Sequence, residues 1–173
     1  MNPQIIIRKI IADDNAKLAS IIRSSLEDFN AVKQDTVYFD ATTDNLYEVF
    51  QEQRSSYFVA TIDDEVVAGA GIFPTEGLPD KTCELVKMYV LSSARGNGLG
   101  KLLLQQCIEE AKIKGFEKMY IETMPELTIA IEMYKKNGFT FIPAALGNSG
   151  HTGCDLFMIR DLIHDGDISN SFQ

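Results

Sequence analysis

The sequence predicts one α/β domain. Three observations carry that expectation: the chain's length, its composition, and the alternation of β-branched runs with segments of helical period. At 173 residues the chain has the size of a single domain that can bury a substantial core. Hydrophobic residues make up 45% and charged residues 24%, the balance of a soluble globular protein and far from that of a disordered chain.

The elements follow in order. Residues 5–10 are a short β-branched run, after which Ala12-Asp13-Asp14 offers an Asp to cap a helix with Leu18, Ile21, Ile22 and Leu26 on one face. The pattern dissolves over 29–45 and returns with Leu46, Val49 and Phe50 in a second helix that reaches Arg54. Residues 57–62 and 65–73 read as two strands joined by Asp63-Asp64, a polar connection suited to a hairpin. Gly77 and Pro79 break the pattern over 75–81, and a third such run, 84–90, leads into a glycine-rich loop. The helix beyond it carries Leu102, Leu103, Ile108, Ala111 and Ile113 and ends at Gly115. A strand at 119–123, a helix at 128–137 stopped by Gly138, a strand at 139–142 and a last strand at 156–159 complete the order. Residues 1–162 are expected to form the domain, and 163–173, rich in Asp and Ser, a flexible tail.

Composition narrows the function. The apolar run at the start is too short for a signal peptide, and no run approaches the roughly 18 apolar residues of a membrane span, so a cytoplasmic location without membrane association is expected. Cys83, Cys107 and Cys154 are far apart and form no C-x-x-C pair, which points to reduced, structural thiols. With only two histidines, a three-histidine metal site is impossible, and no metal is expected. A net charge of −9 opposes a phosphate backbone, so nucleic acid is not an expected partner, while a cationic amine is compatible with that charge.

The most informative segment is Arg95-Gly96-Asn97-Gly98-Leu99-Gly100, between a strand and a helix. Glycines there let the backbone approach a ligand, and the free N–H groups of a helix start favour an anion; a tight structural turn rarely needs three alternating glycines beside an arginine. A Walker loop would need glycine at 95 and Ser or Thr at 102, where this chain has Arg95 and Leu102. A dinucleotide fingerprint would need a small residue at 101 or 103, where Lys101 and Leu103 stand.

The loop resembles the acetyl-CoA pyrophosphate loop of GNAT enzymes, Q/R-x-x-G-x-G/A, through Arg95, Gly98 and Gly100. A second signature, A-x-x-x-Y-x-x-x-G-F, is matched by Ala130, Tyr134, Gly138 and Phe139. The resemblance implies the GNAT fold: a mixed, mostly antiparallel sheet of about seven strands, splayed between strands 4 and 5 and flanked by about four helices. It implies acetyl-CoA as cosubstrate, with Met88, Tyr89 and Val90 beside its pantetheine arm and Arg95, Gly96, Asn97, Gly98, Leu99, Gly100 and Lys101 around its pyrophosphate. One departure is visible: many members carry Asn three residues before the signature alanine, where this chain has Leu127.

Amine acetylation needs a proton acceptor, because only the neutral amine attacks a thioester. Period-two alternation puts Glu84 on one strand face with Val86, Met88 and Val90, apolar surroundings that raise a carboxyl pKa and suit a base. The resemblance implies the same role for Glu84, drawing the proton through water; a solvent-facing carboxylate is the competing account, and Glu122 is the reserve candidate. Tyr134 matches the family's usual acid for the departing thiolate, against a packing role on its helix, and a backbone N–H near Tyr89 or Val90 is expected at the oxyanion. His151, in the polar loop that enters the last strand, is a candidate substrate contact or an inert surface histidine. The expected function is N-acetylation of a primary amine of a small molecule or amino acid by direct attack in a ternary complex. A lysine or amino-terminal acetyltransferase of proteins, and a non-catalytic acyl-CoA sensor, remain as alternatives. Homodimers are frequent in enzymes of this kind, and substrate selection is expected to fall to 29–45, 75–81 and 144–155.

Overall fold

The β-branched runs pair into one sheet. In the computed structural model, which describes residues 3–164, the strands are β1 (Ile5–Lys9), β2 (Ser56–Ile62), β3 (Glu65–Phe73), β4 (Thr82–Val90), β5 (Lys118–Thr123), β6 (Thr140–Ile142) and β7 (Leu156–Asp161). The helices are α1 (Asn15–Asp28), α2 (Leu46–Val49), α3 (Leu99–Ile113) and α4 (Thr128–Lys136). The sheet order is β1-β2-β3-β4-β5-β7-β6, antiparallel throughout except for β4 and β5. Most of the expected flexible tail, from residue 165 onward, lies outside the described residues.

Each sheet face is covered by a helix whose apolar positions recur three and four residues apart. On one side Leu99, Leu103, Leu104, Cys107, Ile108 and Ala111 of α3 pack on Ala68, Ala70, Ile72, Cys83, Leu85 and Met119. On the other, Leu18, Ile22 and Leu26 of α1 pack with Leu46, Phe50, Tyr57 and Val59. Each fully buried Leu or Ile contributes about 1.5–3 kcal/mol. Such a three-layer core holds the sheet between two rigid helices and leaves its open seam to function.

That seam lies between β4 and β5, whose only pairs are Thr82 with Lys118, Cys83 with Met119 and Glu84 with Tyr120. Beyond Glu84 the parallel strands diverge, so the expected splay begins at the expected base. β4 carries a second irregularity, a bulge: its register on β3 passes from Gly71 with Val86 to Gly69 with Tyr89, and Lys87 takes the left-handed φ of 49°. Tyr57 supports the bulge. Its ring fills the space over Gly69 and Gly71, where an added Cβ would come within 2.6 Å of ring atoms, and its hydroxyl donates to the Lys87 carbonyl at 2.8 Å.

The bulge corrects the expected alternation. The extra residue moves Met88 and Val90 to the α3 face, while Val86 and Tyr89 lie on the α1 face. Glu84, opposite Phe73, shares its side with Val86 and not with Met88 or Val90.

Three local expectations also change. The helix expected to reach Arg54 stops at Val49, because the chain turns to drive Phe50 against Tyr57 at 4.9 Å, and Ser55 closes the turn on the Glu52 carbonyl at 2.6 Å. Asp14 does not cap α1 with its side chain; it accepts from the Arg8 guanidinium at 2.7 and 2.9 Å and from the Ile11 N–H at 2.9 Å. The last strand runs on to Asp161. The Asp63-Asp64 hairpin is as read, with φ of 48° and 69°, the pair of positive values a two-residue type I′ turn requires.

Candidate active site

The cleft opened by the splay has a volume of about 490 Å³ and runs along β4 from Glu84 to the glycine loop. Six residues of strand separate these two ends, roughly 20 Å at about 3.3 Å per residue.

At the loop end, Gly98 precedes α3 with φ of 74° and Gly96 has φ of 83°; a Cβ at either would meet nothing within 4 Å. Left-handed backbone explains the glycines, and the open space shows that packing does not. The first N–H groups of the 15-residue α3 have no intrahelical acceptor and are aimed at this end of the cleft, which fits a phosphate. Arg95, Gly96, Gly98, Leu99, Gly100 and Lys101 line the cleft, whereas Asn97 stands behind it, its amide donating to the Ala94 carbonyl at 3.1 Å. The Arg95 guanidinium is held by the Val90 carbonyl at 3.0 Å and Asp28 at 3.1 Å and lies 4.6 Å over the Phe29 ring. It ties the end of β4 to α1. Gly100 sits where a Cβ would touch Met133 and Met88 at 3.4 and 3.5 Å, so these side chains form an apolar wall next to the loop.

At the apex of the splay, Glu84 is only 3% exposed and accepts from the Thr75 hydroxyl at 2.5 Å. Burial pushes its carboxyl up to about 7, aided by the nearby Glu122 charge and opposed by the Thr75 bond and the Lys87 ammonium. The solvent-facing account of Glu84 is thereby excluded. Glu122 lies on β5 just past the last β4–β5 pair and accepts from the Ser149 hydroxyl at 2.9 Å. Tyr134 projects from α4 into the cleft, edge-on to Phe139 at 5.8 Å, and its hydroxyl makes no hydrogen bond among the described residues. Burial raises the phenol's pKa, with the Cys107 thiol adding to it, so the proton stays on the oxygen.

His151 is half-buried and bonded to a neighbouring loop. Its Nε2 lies 3.0 Å from Asp40 Oδ2, and the same oxygen accepts from Lys87 Nζ at 3.3 Å. An ionised carboxylate only accepts, so Nε2 carries the hydrogen. Burial works against the charge on Asp40, but the His151 bond, the Lys87 ammonium and the Thr42 hydroxyl and N–H outweigh it and hold the carboxyl well below the usual carboxylate range. Burial pushes the Lys87 ammonium down from its ordinary pKa, against the pull of Asp40 and Glu84. Asp40 and Lys87 have no counterpart in the sequence reading. Asp40 lies in an aperiodic loop, and Lys87 reads as an ordinary strand residue; only a lysine inside an otherwise apolar strand hints at a partner.

The three segments expected to select the substrate meet here. Asn148 N–H donates to the Glu76 carbonyl at 2.7 Å, Gly153 N–H to the Asp35 carbonyl at 3.2 Å, and a Cβ at Gly153 would come within 2.4 Å of the Gln34 carbonyl. Segment 144–155 is therefore bonded to both 75–81 and 29–45, and Phe29, Thr36, Val37, His151 and Cys154 from two of the three segments line the cleft. Among the described residues no cluster of three or more His, Cys, Asp or Glu is placed to hold a metal, and no helix is long and apolar enough to cross a membrane.

Residues 18–139 match the acetyltransferase (GNAT) family, and the chain belongs to it. Membership makes it an acyltransferase. It is 38% identical over 159 residues to the uncharacterised N-acetyltransferase YjgM of Escherichia coli (strain K12), spanning 91% of this chain and 95% of that protein. Its fold resembles that of a GNAT acetyltransferase from Staphylococcus aureus Mu50, with a TM-score of 0.76, 21% identity, and coverage of 92% and 99% of the two chains. It also resembles YncA of Salmonella typhimurium, solved with its cofactor acetyl-CoA, with a TM-score of 0.73, 24% identity and coverage of 94% and 96%.

Proposed function

We propose that the protein transfers acetyl from acetyl-CoA to the primary amine of a small molecule by direct attack in a ternary complex. The observation that carries this reading is Glu84: a buried carboxyl with a pKa near 7, at the apex of a cleft whose other end is a glycine-cradled helix N-terminus. In this reading the diphosphate of acetyl-CoA lies on the N–H groups of 96–101, and the pantetheine arm runs along Met88, Tyr89 and Val90 into the splay. The relative solved with acetyl-CoA supports that choice of cosubstrate.

Glu84 takes a proton from the bound ammonium through water, and the neutral nitrogen attacks the thioester carbonyl carbon. A backbone N–H at the β4 bulge stabilises the oxyanion. The C–S bond then breaks, Tyr134 gives its proton to the leaving thiolate, and the second proton of the attacking nitrogen restores the phenol. An amide, free coenzyme A and one proton leave the site. The side chains that loops 29–45 and 144–155 add to the cleft wall favour a small acceptor over a protein segment, which needs an open groove. The free thiols Cys83, Cys107 and Cys154 accord with a cytoplasmic setting.

Thiol release from acetyl-CoA across a panel of amines and lysine peptides tests this directly. Turnover of small amines that collapses in Glu84→Gln and Tyr134→Phe is expected. Turnover confined to peptides would overturn the acceptor class, and tight acetyl-CoA binding without any turnover would make the protein a sensor.

A further inference from the structure

Among the described residues, the cations around the acceptor end are all occupied. Lys87, the one lysine in its wall, is bonded to Asp40, which also holds His151. Arg23, the cation behind Lys87, is clamped by both Asp44 oxygens at 2.6 and 2.8 Å, and Lys33 by Glu126 at 2.8 Å. Arg95 and Lys101 belong to the glycine-loop end. The two carboxylates of the acceptor wall are differently placed: Glu84 bonds to the Thr75 hydroxyl and Glu122 to the Ser149 hydroxyl, both neutral donors. A ligand entering this end meets negative charge without a free cation to answer a carboxylate of its own.

We propose that the acceptor is a cationic amine that carries no carboxylate beside the reacting nitrogen, and that Asp40 enforces this choice by occupying the Lys87 ammonium. The inference rests on the acetyl-transfer reading and adds the class of amine. Glu84 addresses the reacting ammonium. Glu122 receives a second positive or hydrogen-bond-donating group, as a diamine would supply, and repels an anionic one. An amino acid would bring its carboxylate into the same space, where Lys87 is already taken. Replacing Asp40 by Asn keeps the shape and the bonds from Thr42 but releases Lys87, turning the wall into a carboxylate site.

The test compares matched pairs that differ only by the carboxylate and whose one primary amine is the nitrogen beside it: agmatine with arginine, histamine with histidine, phenethylamine with phenylalanine. The carboxylate lowers the amine's pKa, which by itself favours the amino acid, so a preference for the decarboxylated partner is not an effect of basicity. The wild type is expected to favour the decarboxylated member by about tenfold or more in kcat/KM, a difference of about 1.4 kcal/mol. Asp40→Asn should shrink or reverse that ratio without changing the KM for acetyl-CoA, and Asp40→Asn with Lys87→Met should cancel the gain. An amino acid preferred by the wild type would overturn the inference while leaving acetyl transfer intact, and so would a ratio unmoved in a folded Asp40→Asn variant. Thiol release from no member of any pair, with acetyl-CoA still bound, would overturn transfer to small amines and this inference with it.

Discussion

The two ends of the cleft are built by different means. The glycine-loop end comes from one contiguous stretch, 95–101, whose backbone does the work: Gly96 and Gly98 adopt left-handed φ, and α3 presents its free N–H groups. The acceptor end is assembled from side chains far apart in the chain, with Asp40, Thr75, Glu84, Lys87, Glu122, Ser149 and His151 joined by bonds such as Asp40 to His151, 111 residues apart. Backbone recognition needs only local geometry and is shared by many proteins of one fold. Side-chain recognition needs tertiary structure and differs between them. The difference teaches where in this molecule to look for the reaction's common part and where for its specificity.

The largest effect expected is at the apex that joins the two ends. Glu84→Gln should lower kcat by about 10²–10⁴, the usual worth of a positioned base, with the acetyl-CoA Kd unchanged. The same substitution should stabilise the fold at alkaline pH. Burial raises the Glu84 pKa from 4.5 to about 7, so the folded state binds this proton more tightly than the unfolded chain does. Its contribution is complete below the unfolded value and is lost as pH rises through about 7. The variant avoids that loss, on the order of 3 kcal/mol above pH 8, read as a higher unfolding midpoint that converges on wild type near pH 4.

Tyr134→Phe comes next, with an expected loss of about 10² in kcat and little change in stability, since the phenol has no hydrogen bond to lose among the described residues. A large fall in unfolding midpoint with unchanged kcat would return Tyr134 to a packing role. Gly98→Val sharpens the contrast at the loop end: a β-branched residue at φ of 74° should weaken acetyl-CoA binding by about tenfold, through a strain of about 1–2 kcal/mol, and leave selectivity among acceptors unchanged. Isothermal titration with acetyl-CoA measures the first and acceptor competition the second.

Tyr57→Phe should have the smallest effect on turnover. It removes the donor to the Lys87 carbonyl at the bulge, at a cost of about 1–3 kcal/mol for the buried carbonyl left unpaired. Denaturant unfolding reads that loss directly.

What was legible in the sequence follows the same division. Arg95, Gly98 and Gly100, with Ala130, Tyr134, Gly138 and Phe139, announced the family because each set lies in one short stretch of chain, readable without tertiary structure. Strand and helix order was equally readable, since each element shows its own period. The β4 bulge was not, because Glu84, Val86, Met88 and Val90 look like unbroken alternation and the left-handed position is occupied by Lys87 rather than glycine. Nor was α2's early end, which Phe50 sets by packing on Tyr57 across the fold. Asp40 lay hidden in a loop without period, and its role appears only when His151 and Lys87 arrive beside it.

The pH dependence of kcat at saturating acetyl-CoA and amine, for wild type beside Glu84→Gln, tests the central claim most directly. The wild-type rate is expected to climb with unit slope to an inflection near 7, an inflection absent from the variant, while any step belonging to the amine itself stays in both. The same profile and rate in both proteins would contradict Glu84 as the base.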